Sequence, residues 1–404
     1  MRFQSIRSRI VTAIPQLSFI KSACVAGGLV FAVFSQAQWQ DPLETPSLVT
    51  HRAHESLLLD ITRAGDRLVA VGAHGHILYS DDSGQSWEQS HTPASITLTA
   101  VYFPNEQSGW AVGHDGLILN TQDAGENWVK QFDGYAANKA IVKGAESLKD
   151  QALSALQAAE EGEDLTIIED AEMTLENVTF ALEDAQYDES TGSTKPFLDV
   201  WFQNANSGFA VGAYGMAFHT SDGGNSWVDW SANLENEGRL HINGLTELSS
   251  GSLMLIGEQG LVLRSDDMGN SWQEFSSPYD GSYFGIMSAG NNIFMYGLRS
   301  NLYKLVDGEM NWERIRVDSE QTLMSGTETS NDQIVLVGNG GTYIQLDPNS
   351  GKSKSIILQG RKTSAASVEA PDGTIVTVGE AGITRIDSSG VIIKENITMI
   401  KGGL

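Results

Sequence analysis

Between residues 97 and 132 the chain alternates apolar and polar positions in four short runs, at 97–103, 109–112, 117–121 and 128–132. Alternation with a period of two predicts a strand with one buried face, and the glycines between the runs mark turns that need positive φ. The four-run unit recurs. Its most regular landmark is a G-x-x-G turn after an apolar run, at Gly72 and Gly75, Gly113 and Gly116, Gly212 and Gly215, Gly257 and Gly260, Gly338 and Gly341, and Gly379 and Gly382. Gly297 opens a seventh, in which Ser300 replaces the second glycine. The first glycines lie 41, 99, 45, 40, 41 and 41 residues apart, so an insertion of about 57 residues in the second gap restores a period near 41. Repeats of about 40 residues with four strands each are blades. The pattern predicts a seven-bladed β-propeller over residues 57–396, leaving an N-terminal segment at 38–56 and a tail at 397–404.

The turn between the third and fourth runs repeats as SDDSGQSW from Ser80, TQDAGENW from Thr121, TSDGGNSW from Thr220 and SDDMGNSW from Ser265. A metal loop would need more oxygen ligands and a closing acid further along. Four copies favour a structural part: a hairpin turn in which Asp82, Asp123, Asp222 and Asp267 accept the turn's own N–H groups. Trp87, Trp128, Trp227 and Trp272 are then expected to start the outer strand and bury their rings against the next blade. Repeat 5 keeps Asp307 and Trp312, while repeats 6 and 7 read LDPNSG and IDSSG and lose the Trp.

The insertion follows another rhythm. Ile168, Ala171, Leu175, Val178, Leu182 and Ala185 step by three and four, as do Ile141, Ala145, Leu148, Ala152 and Leu156. Each set forms one apolar helical stripe, and Gly162 separates them. The pattern predicts an antiparallel α-helical hairpin at 137–193, between blades 2 and 3, with 14 acidic and three basic residues.

Strand order fixes the faces. The Asp-bearing octets lie on one face of the propeller. The G-x-x-G turns and the links between blades, the hairpin included, lie on the other, where loops on a rigid scaffold carry function. On that face His74, His114, Tyr214, Arg239, Tyr279, Tyr283 and Arg299 are the candidate partner-binding residues, because aromatic and arginine side chains carry much of the energy of protein interfaces.

Charge and address narrow the function. The 404 residues include 25 basic and 51 acidic, a net charge of −26 that argues against nucleic acid and anionic lipid as partners. Arg2, Arg7, Arg9 and Lys21 precede an apolar run at 25–34 and the small residues Ser35 and Ala37. This predicts a signal peptide at 1–37, cleaved after Ala37, and a periplasmic protein without direct membrane insertion after cleavage. Cys24, the sole cysteine, lies within that leader, so the mature chain holds neither a disulfide nor a cysteine-bound metal.

The octets resemble Asp-box (bacterial neuraminidase) repeats. Together with units such as Gly109-Trp110-Ala111-Val112-Gly113 followed by Gly116, they resemble the photosystem II stability and assembly factor family over residues 57–396, outside the insertion. The resemblance implies a non-enzymatic propeller with no cofactor. Its photosynthetic members bind a nascent membrane subunit, and relatives in non-photosynthetic proteobacteria are often encoded beside RND-type exporters. This chain departs from the photosynthetic pattern in its acidic hairpin and in lacking an arginine cluster. The expected function is that of an interaction or assembly factor docking on a membrane protein complex from the periplasmic side, with an RND-type transporter as the candidate partner.

An enzyme of the same propeller class, a sialidase or other glycoside hydrolase, is the alternative. Sialidase chemistry needs several arginines around a substrate carboxylate and an Arg-Ile-Pro motif near the N-terminus. That motif is absent, and Arg239, Arg299 and Arg361 fall on different blades. Paired carboxylates abound, but their spacing across blades is not readable, so no catalytic residue is assigned. His74 and His114 occupy turns of neighbouring blades, with Asp115 beside one; no third ligand is legible and no metal site is assigned.

Overall fold

The computed structural model describes residues 40–162, 164–393 and 397–400. The signal peptide expected at 1–37 lies outside them. Seven antiparallel sheets follow one another along the chain. In blade 2 the strands are Leu98–Tyr102, Gly109–Gly113, Ile118–Thr121 and Val129–Phe132, which we call A to D. The seven A strands begin at Leu58, Leu98, Phe197, Ile242, Tyr283, Leu323 and Ser364. Each lies against the A strand of the next blade, and the seventh against the first, so the ring is closed. This is the expected seven-bladed β-propeller.

Packing explains the repeat. The B strands are sandwiched on both faces, and every residue of Gly109–Gly113, Gly208–Gly212, Leu253–Gly257, Ile334–Gly338 and Ile375–Gly379 is buried. The core is therefore a set of separate inter-blade clusters, such as Val69, Leu98, Val101 and Trp128 between blades 1 and 2. Burial of this apolar surface is the main stabilising term, at about 25 cal/mol per Å².

The A strands have no sheet neighbour on the axial side, so backbone groups there need other partners. Side chains supply some of them across the seams. Asp60 Oδ2 accepts the Val101 N–H at 2.8 Å, and Asp199 Oδ2 accepts the Leu245 N–H at 2.8 Å. Thr99 Oγ1 donates to the Phe197 carbonyl at 2.8 Å, and Asn243 Nδ2 to the Tyr283 carbonyl at 2.8 Å.

Described segments on either side of the repeats join the ring. The tail contributes a short strand, Thr398–Met399, that pairs parallel with Ser86–Gln89 and gives blade 1 a fifth, outermost strand. Among the described residues blade 7 has three full strands, Ser364–Glu369, Ile375–Gly379 and Gly382–Ile386, and a bridge from Ile386 to Ile392 at the place of strand D. The N-terminal segment inserts Ala53 into the seam of blades 7 and 1, and Leu43 into the seam of blades 1 and 2.

The insertion forms two long helices, α1 (Gly134–Gly162) and α2 (Leu165–Thr191). Asp164 caps α2, its Oδ1 accepting the Thr166 N–H at 3.0 Å. The expected stripes meet near the root, where Ala145, Leu182 and Ala185 are buried together with Ile141 packed against them. Leu148 leaves its stripe, being 42 % exposed and lining the space beside blade 3. At the root, Ala137 enters the core between blades 2 and 3 beside Phe218 and Trp227.

Candidate functional site

The octet turns are built from one clamp used four times. Ser80 Oγ donates to Asp82 Oδ1 at 2.8 Å and accepts the Gly84 N–H at 2.9 Å, while Asp82 Oδ1 also accepts the Ser86 N–H at 2.8 Å. Thr121 and Asp123, Thr220 and Asp222, and Ser265 and Asp267 repeat this pattern. The hydroxyl of Ser271 and the other donors around Asp267 hold its carboxyl down at about 2. Each of these carboxylates is engaged by its own turn, so the octets have the geometry of structural staples.

The tryptophans correct one expectation. Trp87, Trp128, Trp227 and Trp272 are all buried, but against the preceding blade. Trp87 packs with Ala366, Val376 and Val378 of blade 7, and Trp272 with Trp201 and Phe209 of blade 3. The indole N–H groups of Trp87 and Trp272 bond back to the carbonyls of Gly84 and Gly269, at 3.0 and 3.1 Å. That bond ties the ring to its own turn and to the sheet face that looks backward around the ring.

On the opposite face, close approach explains both glycines of G-x-x-G. A Cβ on Gly72 would lie 2.3 Å from the Leu57 carbonyl oxygen, and one on Gly75, where φ is +71°, 2.1 Å from that of Ala94. The third residue of the turn also adopts left-handed φ, at His74 (60°), Asp115 (54°), Tyr214 (58°), Gln259 (52°) and Arg299 (54°). Arg239 (49°) and Arg361 (54°), in links of the same face, do likewise. Left-handed φ is uncommon outside glycine, and the octet turns hold it too, at Ser83 (61°), Ala124 (59°) and Met268 (59°), so it marks tight turns on both faces.

The candidate residues divide. His74, His114, Tyr214, Arg239 and Arg299 are exposed on this face, and Tyr279 is half-buried. Tyr283 is 0 % exposed and packs in the core between blades 4 and 5, so it offers no surface to a partner. It opens strand A at the position held by Leu58, Leu98 and Phe197 in other blades, and that alignment of repeats could have shown it. His74 and His114 are not equivalent either, because His74 matches Asp115 in the turn. Among the described residues no group of three His, Cys, Asp or Glu side chains could hold a metal.

The structure brings Tyr214 and Arg239 together. Both line a cleft of about 740 Å³ between α1, α2 and blade 3. Ala140, Gly144 and Leu148, four residues apart on α1, face Trp227, Val228 and Leu234. The small Ala140 and Gly144, one turn apart, keep the helix face shallow there, and this leaves the apolar space. Its rim carries Lys143, Lys195 and Arg239, with Asp188, Asp229 and Glu237 among them. Lys195 pairs with Asp188 and lies 5.6 Å from the centre of the Tyr214 ring, which meets His241 edge-on at 4.8 Å. The cleft was not legible in the sequence because it exists only where hairpin and blade meet.

Asp60 and Asp199 are the other unusual groups. Burial along the axis raises each to about 7, against the opposing effect of the backbone N–H bonds it accepts. A pair of raised carboxyls invites comparison with hydrolytic acids. Here both oxygens of each group already bond backbone N–H groups, Ile61 and Val101 for Asp60 and Val200 and Leu245 for Asp199.

Comparison with known proteins follows the same division. The family described as Photosynthesis system II assembly factor YCF48 matches residues 37–133 and 184–366, more than half of the chain, and passes over nearly the whole hairpin. A solved structure of YCF48 bound to D1 peptide is similar at 13 % identity with a TM-score of 0.55, covering 81 % of this chain and 90 % of that one. YCF48 from Cyanidioschyzon merolae is similar at 13 % identity and a TM-score of 0.56, covering 84 % and 97 %. The Niastella koreensis GH74 enzyme is similar in fold at 11 % identity and a TM-score of 0.54, covering 85 % of this chain and 53 % of that one. No curated protein matches the sequence.

Proposed function

Because the chain belongs to the photosynthesis system II assembly factor YCF48 family, we propose that it is a non-enzymatic assembly or interaction factor that binds a segment of a membrane protein complex. The observation that carries this reading is the family match across the blades, joined to a ready-made apolar cleft on the loop-bearing face. Concave, mostly apolar sites with a few convergent polar groups are the usual form of a binding pocket. In the related complex the propeller partner is a D1 peptide, which supports a polypeptide segment as the occupant here. Tyr214 and Arg239 then supply an aromatic anchor and a cation at the cleft's edge.

The finer assignment is a periplasmic location with an RND-type exporter as the complex. It rests on the leader-like N-terminus and on the resemblance to relatives encoded beside such exporters. The test is affinity capture from detergent-solubilised membranes, with the partner identified by mass spectrometry. The intact chain should capture one membrane complex, and a cleft-filling variant, Ala181→Trp with Ala232→Trp, should lose it. Equal capture by both would exclude the cleft, and turnover of a glycan substrate by the purified chain would overturn the non-enzymatic reading.

A further inference from the structure

The helical hairpin carries a second surface, outside the cleft. Met173, Phe180 and Tyr187 on α2 are 58 %, 56 % and 69 % exposed. They are spaced by seven, and in an α-helix each seven-residue step drifts by only about 20°. They therefore form one row, about 21 Å long at 1.5 Å per residue. Leu182 and Ala185, which pack on α1, lie on the opposite side of the helix. Scattered single exposed apolar residues need no explanation, but aligned ones do.

Charge defines what could cover this row. α2 holds eight Asp and Glu and no Lys or Arg in its 27 residues. Glu169, Glu176 and Asp184 are exposed and border the row. Arg239 approaches Asp184 only to 3.9 Å. A second copy of the chain would set Glu169, Glu176 and Asp184 against their own counterparts, and an anionic lipid surface would be repelled in the same way. A row repeating every seven residues matches the spacing at which a second helix returns the same face. We propose that the outer face of α2 docks a basic amphipathic helix of a partner protein, its apolar residues on Met173, Phe180 and Tyr187 and its cations on the bordering carboxylates. The proposal deepens the interaction reading above and shares with it only the premise that a protein partner exists.

The probe is a synthetic three-heptad helical peptide with Leu at the apolar positions and Lys elsewhere, titrated against the full chain. Binding should weaken as salt is raised. The variant Met173→Ser, Phe180→Ser, Tyr187→Ser should lose at least about tenfold in affinity, as expected when a few anchors dominate. Because all three side chains are exposed, it should melt with the intact chain. Glu169→Lys with Glu176→Lys should also weaken binding, and the cleft-filling variant should retain it. The proposal falls if the serine variant binds as well as the intact chain, or if oligolysine of equal charge binds as tightly as the Leu-bearing peptide. It falls equally if the intact chain self-associates through this row, or if filling the cleft abolishes peptide binding. Retained peptide binding with failed membrane capture would leave the row standing and remove the cleft reading instead.

Discussion

Asp60 Oδ2 accepts the backbone N–H of Val101 at 2.8 Å, so a carboxylate on the innermost strand of blade 1 holds the innermost strand of blade 2. Asp199 and Leu245 repeat the bond between blades 3 and 4. The backbone bonds favour the charged carboxylate and burial opposes it, and the net dependence on pH has a definite sign.

Burial raises both carboxyls from 3.8 to about 7, so the folded state binds their protons more tightly than the unfolded chain does. Their contribution to stability is complete below 3.8 and is lost as pH rises through about 7. His76 and His219, which burial shifts downward, act in the opposite sense over part of that range. The measurement is therefore a difference. The melting temperature of the intact chain minus that of Asp60→Asn, Asp199→Asn should fall as pH rises from about 4 to about 7 and level off above that. A difference that stayed flat would show that these groups do not titrate in the fold.

The octet staples predict stability effects without functional ones. Trp87→Ala should cost about 3–5 kcal/mol, as expected for a fully buried aromatic ring. Asp82→Ala should cost about 1–3 kcal/mol, because the Ser86 N–H and the Ser80 hydroxyl lose their acceptor. Chemical denaturation measures both. Partner capture at temperatures where the variants remain folded should match the intact chain, and a loss of capture at unchanged stability would assign the octets a functional role.

Gly116 sits at the root of the hairpin with φ +62°, and a Cβ there would lie 2.7 Å from the Gly134 Cα. Gly251 has φ +85° and open space around it. Gly251→Ala should cost about 1 kcal/mol from backbone strain alone, and Gly116→Ala clearly more, because strain and collision add. Equal losses in denaturant melts would mean that the hairpin root yields freely.

The hairpin should be separable beyond its root. Replacing residues 149–179 by a short Gly/Ser turn leaves Ala137 and Ile141 against the blade 3 core and Ala145 against Leu182. The melting temperature should stay within a few degrees of the intact value, while far-UV circular dichroism loses helical signal. Replacing 137–193 should lower it further, because Ala137 leaves the core between blades 2 and 3.

Much of this architecture was readable because its constraints repeat. Gly72 and Gly75 recur in later blades because backbone stands where their side chains would be, and Ser80, Asp82 and Trp87 recur because one clamp closes four turns. The hairpin announced itself by a change of period from two to about 3.6. What stayed hidden depends on contacts that do not repeat. The positions equivalent to Asp60 in the other blades hold Ala100, Asp199, Gly244, Gly285, Ser325 and Ala366, so no pattern pointed to the axis. The strand Thr398–Met399 pairs in parallel over two residues, too short a segment for alternation to reveal. The cleft joins α1 to blade 3 across dozens of residues of sequence, and neither wall predicts the other.

The most direct test places a photo-crosslinking residue at Leu148, which lines the cleft, and, in a separate variant, at Gln85, on the octet face. Irradiation with solubilised membranes should give a single membrane-protein adduct from Leu148 and none from Gln85, with the attachment site on one segment of that protein. Adducts of equal yield from both positions, or from Gln85 alone, would contradict the assignment of partner binding to the hairpin-bearing face.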